Sequence, residues 1–312
     1  CLSHQVVLSE AKTDPKQLKM LEDWLRSYNI NELFDKEKGF DNFVDNILPE
    51  LHQRMGMTPH ALCGSPVYKP LNLPEVEKYS IDLQQPGEST GSSMIQTGKY
   101  LADVFKLNQE NHNFRMMSPD ETYSNKLDAV FDATSRGWIW PYKEWDMDMS
   151  PDGRVMEMLS EHNLQGLAQG YILTGRHAIF ASYEAFIQII SSMADQYGKF
   201  LKNTAEHNWR GKFPSLNYIL TSSAWRQDHN GFSHQNPGFI DDILRRHGNF
   251  VNVYFPADVN STIVAIEKML STTQQLNAIA SGKTDEPQWL TIEQARKQMQ
   301  TGIMIWDFAS DD

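Results

Sequence analysis

The 312 residues, 40% hydrophobic and 22% charged, are enough to bury one large core or two ordinary ones and have the balance of a soluble globular protein. A net charge of -12 argues against a nucleic acid or an anionic membrane as partner, because either would require a basic face. Two cysteines, Cys1 and Cys63, make neither a disulfide framework nor a metal knuckle and suit a reducing, cytoplasmic setting.

In chain order, Thr13 or Asp14 caps a helical pattern over residues 13–28, with Leu18, Leu21, Trp24 and Leu25 at helical spacing. A second helical pattern covers residues 41–55, where Pro49 predicts a kink or break. Residues 58–91 are rich in Pro, Gly and Ser, lack periodicity and read as a long connecting segment. Beyond them the pattern predicts a helix over 94–107 and a short strand at 114–117, followed by a loop at 118–121. An apolar helix is predicted over 183–201 and a buried-type strand over 216–221. Helix 239–246, strand 250–255, helix 261–270, strand 275–280 and helix 291–299 complete the series. Short strands alternating with amphipathic helices predict an α/β domain over 93–312, a parallel sheet with helices on both faces, preceded by a helical and irregular linker over 1–92. Ligands of such sheets bind outside the carboxyl ends of the strands.

No apolar stretch approaches the ~20 residues of a membrane helix, and the first residues lack the charged and apolar regions of a secretory signal. A start at Cys1 and an end soon after the apolar run 304–308 read as a piece of a longer polypeptide.

Candidate chemistry concentrates after the strand predicted at 216–221. Gln227, Asp228, His229, Asn230, Ser233, His234, Gln235 and Asn236 crowd around Gly231, and so many donors and acceptors require a ligand, water or backbone partners. An ordinary solvated loop satisfies them too, and composition alone favours that reading, since loops are generally polar. His229 and His234 have no third ligand at metal spacing, so no metal is expected there. Glu161 follows the apolar run 155–159 and is either a desolvated carboxylate with a raised pKa or an exposed helix residue. Residues 118–126 suit a turn and helix start. Arg176 and His177 could meet an anion, or Arg176 could pair with an acid; Lys283 is either a phosphate ligand or a solvated lysine. Asn260-Ser261-Thr262 matches the glycosylation pattern, which reads as chance without a sign of secretion.

Taken together and in this order, four blocks closely resemble the phosphoketolases: RMMSPDETYSNKL at 115–127, GRVMEMLSEHNLQG at 153–166, LTGRHAIFASYEAF at 173–186, and the segment 223–238. Ser3-His4-Gln5-Val6 resembles the family's histidine-containing linker, and Ser281-Gly282-Lys283 with Gln288-Trp289-Leu290 its phosphate-binding lysine region. The resemblance implies a thiamine diphosphate-binding fold, with the second half of the chain as the pyrimidine-binding domain. It implies that Glu161 hydrogen-bonds N1′ of the aminopyrimidine, with His4 and Phe186 also at the cofactor. His4, Gln227, Asn230 and His234 would lie near the reacting atoms and sugar hydroxyls, with His234, Asn230 and His4 sharing the catalytic work. Ser124 and Lys283 would hold the substrate phosphate, Tyr183 would shape the pocket, and His229 would be structural.

The implied reaction cleaves xylulose 5-phosphate or fructose 6-phosphate with inorganic phosphate to acetyl phosphate and an aldose phosphate, in a homodimer. The Gly-Asp-Gly diphosphate and metal signature of the superfamily is absent, and Ser150-Pro151-Asp152-Gly153 does not replace it. The ligands of Mg2+ or Ca2+ are therefore expected on an N-terminal domain outside this chain, and the isolated segment is expected not to turn over. Ala178 stands where the family usually has Gly. A transketolase-like ketol transferase and a non-catalytic split or degenerate binding module are the alternatives.

Overall fold

The computed structural model describes residues 6–37, 39–62, 67–119, 122–208, 210–221, 236–245 and 248–311. The chain divides into two compact units at Thr58/Pro59. In the first, α1 (Pro15–Arg26) starts where Asp14 accepts from the Lys16 N–H and a proline sits in the first turn, where its missing N–H costs nothing. A short antiparallel pair, β1 (Phe34–Asp35) and β2 (Gly39–Phe40), stacks Phe34 on Phe40. Asp41 caps α2 (Asn42–Ile47), which ends before Pro49 as expected. None of the residues in α1 or α2 is buried.

The second unit begins with β3 (Thr90–Ser92), α3 (Ser93–Leu107), β4 (Phe114–Ser118), β5 (Arg136–Gly137), β6 (Met149–Ser150) and β7 (Val155–Glu157). It continues with α4 (Glu161–Leu173), β8 (His177–Ser182), α5 (Glu184–Ile187), α6 (Ser191–Thr204), β9 (Leu216–Leu220) and α7 (Gly238–Leu244). Strand β10 (Val251–Tyr254), α8 (Val259–Ser271), β11 (Leu276–Ala280), β12 (Asp285–Pro287) and α9 (Ile292–Thr301) complete it. Eight strands form one sheet in the order β10-β11-β9-β8-β4-β7-β5-β6, and every pair in it is parallel. Strands β3 and β12 pair separately and antiparallel.

Alternation along each strand feeds two cores. Met116, Ile179, Ala181, Ile219 and Ile279 pack with α3, α8 and α9 on one face. Met117, Ala178, Phe180, Tyr218, Leu220 and Ala278 pack with α4, α6 and α7 on the other. Burial on both faces is the condition for a parallel sheet, and it follows from helical crossovers. The architecture is the expected one, helices on both faces included.

Several elements differ from expectation. Residues 183–201 are not one helix: α5 gives way to a 3₁₀ turn at Gln188–Ile190 before α6 starts. Strands β7 and β8 and helix α4 carry no clear periodic signal, because β8 is buried at every position and α4 contains Gly166 and Gly170. The unit starts at Pro59 rather than at 93 because Leu71, Val76 and Tyr79 of the irregular segment are buried in the α3/α8 core.

The strand order locates a crevice. From β4 the chain moves to β5, β6 and β7 on one side, whereas from β8 it moves to β9 on the other. Adjacent strands whose connections diverge open a gap at their carboxyl ends, where ligands of such sheets bind.

Candidate functional site

Because the sheet is wholly parallel, the segments after β4, β7, β8, β9 and β11 all emerge at one edge. They carry Ser124, Glu161, Tyr183, Thr221 and Lys283 in that order.

Ser124 is exposed on a tight loop after β4 in which Lys126 adopts φ 60° and its N–H donates to the Tyr123 carbonyl at 3.0 Å. Its neighbours are each tied down. The Thr122 N–H donates to Glu157 Oε2 at 3.1 Å and the Thr122 hydroxyl donates to the same oxygen. The Tyr123 hydroxyl donates to Asp148 at 2.6 Å, which pushes its pKa up. Asn125, fully buried, accepts from the Thr221 hydroxyl at 2.6 Å. Arg136 joins the acids, 3.1 Å from Glu157 and 3.6 Å from Asp148, with its guanidinium 4.4 Å from the Phe131 ring centroid. This half-buried Asp148–Arg136–Glu157 chain braces the loop against β5 and β7. Gly98 of α3 lets the loop pack close: a Cβ there would lie 3.1 Å from Leu127 Cα.

Tyr183 and Lys283, a hundred residues apart in sequence, meet at this edge. Lys283 is 7% exposed and its Nζ lies 4.6 Å from the Tyr183 ring centroid. The ring face holds the cation by its quadrupole. The Lys283 carbonyl accepts from the Ser92 hydroxyl at 3.0 Å, which fixes the backbone. Phe186 stands 6.0 Å from Tyr183, centroid to centroid, and is partly exposed.

Glu161 is half-buried at the first position of α4, just beyond β7. Its carboxylate makes no hydrogen bond or ion pair with any described residue. His4, Gln227, Asn230 and His234, with His229, lie outside the described residues.

Other motifs prove structural. Asn260 is fully buried and its amide donates to the carbonyls of Ile81 and Leu290, so it presents no acceptor for a glycan. The Gln288-Trp289-Leu290 backbone is held by Asp258, whose Oδ2 accepts from the N–H groups of Trp289 and Leu290 at 2.9 and 2.8 Å. His177 is buried at the opposite edge and donates from Nε2 to the Lys69 carbonyl at 2.8 Å. Arg176 bonds Thr174 and contacts the ring of His60 rather than an acid. Asn125 falls in the segment 118–126 read from sequence as a turn and helix start, whereas Glu157, Arg136, Asp148 and Thr221 look in the sequence like ordinary polar residues at or near strand ends. No group of three His, Cys, Asp or Glu able to hold a metal occurs among the described residues, and no described helix is long and apolar enough to cross a membrane.

The parallel sheet flanked by helices has counterparts in solved transketolase structures, which the chain resembles in fold. A transketolase from Pichia stipitis in complex with sedoheptulose 7-phosphate matches 72% of this chain and 31% of its own, with TM-score 0.50 and 18% identity. A variant of that transketolase in complex with fructose 6-phosphate matches the same shares with TM-score 0.52. At such identity the likeness concerns the fold.

The family is defined by sequence. The family model described as D-xylulose 5-phosphate/D-fructose 6-phosphate phosphoketolase matches residues 95–272, and the XFP N-terminal domain matches residues 1–65. A probable phosphoketolase of Nitrosospira multiformis is 47% identical over 310 residues, 99% of this chain and 38% of the relative. One from Bradyrhizobium diazoefficiens is 45% identical over 310 residues, 99% of this chain and 39% of the relative. The chain belongs to the phosphoketolase family and is a phosphoketolase segment, spanning about two fifths of the length of these relatives.

Proposed function

We propose that the protein carrying this segment cleaves xylulose 5-phosphate, fructose 6-phosphate or both with inorganic phosphate. The products are acetyl phosphate and glyceraldehyde 3-phosphate or erythrose 4-phosphate. The observation that carries the reading is the convergence of Tyr183 with buried Lys283 at the sheet edge that also presents Ser124 and Glu161. Lys283 supplies a fixed positive charge and Ser124 a hydroxyl, a donor set suited to a sugar phosphate. The aromatic wall of Tyr183 keeps water from that end.

The residues present fit thiamine diphosphate in one testable respect. Glu161 offers a half-buried carboxyl with no described partner, able to share a proton with an aminopyrimidine ring nitrogen, and Phe186 adds a partly exposed ring nearby in sequence to Tyr183. When bound, the cofactor supplies the electron sink for carbon–carbon cleavage. Glu161 holds a proton at the pyrimidine nitrogen, while Ser124 and Lys283 orient the phosphate end. His4, Gln227, Asn230 and His234 act on the sugar hydroxyls and move protons. The diphosphate and a divalent cation, Mg2+ or Ca2+, are bound by the N-terminal domain of the full-length protein, a cytoplasmic homodimer.

Two measurements test this. The full-length protein incubated with fructose 6-phosphate and phosphate forms acetyl phosphate; phosphate-independent transfer of the two-carbon unit to an aldose instead makes it a transketolase-type enzyme. Glu161→Gln lowers acetyl phosphate formation by at least ~100-fold, the scale of a lost proton-transfer partner. Undiminished activity in that variant removes the cofactor assignment.

A further inference from the structure

The residue that ties the loops of this edge together is Thr221, to which no role has been given above. It is fully buried at the end of β9. Its N–H donates to the Ser182 carbonyl at 3.0 Å, which fixes the backbone just before Tyr183. Its hydroxyl donates to Asn125 Oδ1 at 2.6 Å, the residue just after Ser124. The Ser182 carbonyl lies farther from that hydroxyl, at 3.4 Å, so Asn125 is its better acceptor. One residue therefore joins the strand end that bears Tyr183, through its N–H, to the loop that bears Ser124, through its hydroxyl, reaching past β8, which lies between β9 and β4.

Asn125 has little else to hold it. It is fully buried, and its Nδ2 has no hydrogen-bond partner among the described residues. Burying a polar amide with half its capacity unmet is costly, and the Thr221 hydroxyl is the side-chain bond that keeps it in place. Glu157 grips the other end of the loop at Thr122, and Gly98 brings α3 close to Lys126 and Leu127. The loop is thus fixed at both ends, with Ser124 exposed between them.

We propose that Thr221 is a positioning residue, whose hydroxyl acts through Asn125 to set Ser124 relative to Tyr183 for the phosphate end of the substrate. The proposal rests on the reading of Ser124 as a phosphate contact. A positioning role of this kind acts on binding of the sugar phosphate and leaves the bond-breaking step alone.

The test is a double-mutant cycle in the full-length enzyme, read as KM for fructose 6-phosphate and kcat separately. Thr221→Val removes the hydroxyl at nearly constant shape and raises KM about tenfold with kcat within about twofold, the scale of one lost buried hydrogen bond. Thr221→Ser keeps the hydroxyl and restores KM. Ser124→Ala raises KM by itself, and adding Thr221→Val to it raises KM no further. If Thr221→Val misfolds, Asn125→Ala cuts the same link from the other side and replaces it in the cycle. Two results overturn the proposal and remain distinguishable. If Ser124→Ala raises KM but Thr221→Val multiplies its full factor on top, Thr221 does not act through Ser124. If Ser124→Ala leaves KM unchanged, the phosphate-contact reading itself fails and the proposal with it.

Discussion

The two edges of the parallel sheet use buried polar side chains in opposite ways. At the amino edge, Asn217, Asn277 and Asn252 sit side by side on β9, β11 and β10 in register. Asn277 donates to Asn217 at 2.7 Å and Asn252 donates to Asn277 at 2.9 Å, so strand is tied to strand. At the carboxyl edge, Glu157, the last residue of β7, and Thr221, just beyond β9, bond to Thr122 and Asn125 of a loop. Strand-to-strand bonds fix register, which a parallel sheet buried on both faces otherwise specifies only through packing. Strand-to-loop bonds fix the position of groups that, on the proposed function, face the substrate. The contrast predicts that changes at the amino edge move stability and changes at the carboxyl edge move substrate binding.

The largest effect falls on the ladder. Asn277→Leu removes the bonds to Asn217 and Asn252 and the one to the Thr272 hydroxyl at 2.9 Å, leaving the buried Asn217 Oδ1 without that donor while Asn252 and Thr272 keep Gln275 and Met269. A loss of about 3–5 kcal/mol in stability is expected, since one stranded buried group costs ~1–3 kcal/mol and each further lost bond ~1 kcal/mol. Denaturant unfolding measures it, and a loss below about 1 kcal/mol would mean that the ladder matters little. KM of whatever enzyme remains folded should stay near wild type.

His177, also at the amino edge, gives the next effect and a pH signature. Burial holds its pKa down to about 4, against ~6.5 in an unfolded chain. As pH falls, the unfolded chain takes up the proton first, so the neutral buried ring contributes full stability above pH ~6.5 and loses it down to pH ~4. The span is on the order of 3 kcal/mol. Its Nε2 must carry the hydrogen, because the Lys69 carbonyl can only accept, and Nδ1 is buried without a partner among the described residues. His177→Gln should flatten the acid limb of the stability–pH curve; an unchanged limb would place the acid sensitivity elsewhere.

At the carboxyl edge the balance shifts. Glu157→Gln retains an acceptor for Thr122 but loses the charge that faces Arg136. Both side chains are about five-sixths buried, so the pair is partly screened, and ~1–2 kcal/mol of stability is expected to go. KM for the sugar phosphate should rise severalfold through the Ser124 loop. A stability loss without any change in KM would make this network another amino-edge-type brace.

How far the sequence exposed this division depends on the element. Strands β4, β9, β10 and β11 stood out as compact apolar runs between helical patterns, which was enough for the α/β class and the strand edge where ligands sit. Strand β8 did not, because it opens with His177 and closes with Ser182, polar residues that are buried here by the fold. Helix α4 begins Glu161-His162-Asn163 and contains two glycines, so its period is weak. Lys283 is a candidate from its place after a strand, but its choice as a phosphate ligand and its pairing with Tyr183 come from family likeness, since no local rule brings together residues a hundred positions apart. Thr221 and Glu157 were illegible for a different reason: a polar residue ending a strand is ordinary until its partner is known.

Gly98 gives the smallest effect and the finest probe of the comparison. In an open helix position, Gly to Ala stabilises by up to ~1 kcal/mol, because alanine loses less backbone freedom on folding. Here the added Cβ would lie 3.1 Å from Leu127 Cα and 3.2 Å from the Lys126 carbonyl oxygen, both backbone atoms that yield little. The helix gain and the contact strain should nearly cancel, leaving the melting temperature within about 2 °C of wild type. The strain does not vanish; it moves the loop that begins at Thr122 and bears Ser124. A two- to threefold rise in KM at near-constant melting temperature is therefore expected, about 0.4–0.7 kcal/mol of binding. If Gly98→Ala instead raises the melting temperature and leaves KM alone, α3 does not press on the loop. Its position would then depend on Glu157 and Thr221 alone, and the carboxyl edge would be set entirely by its strands.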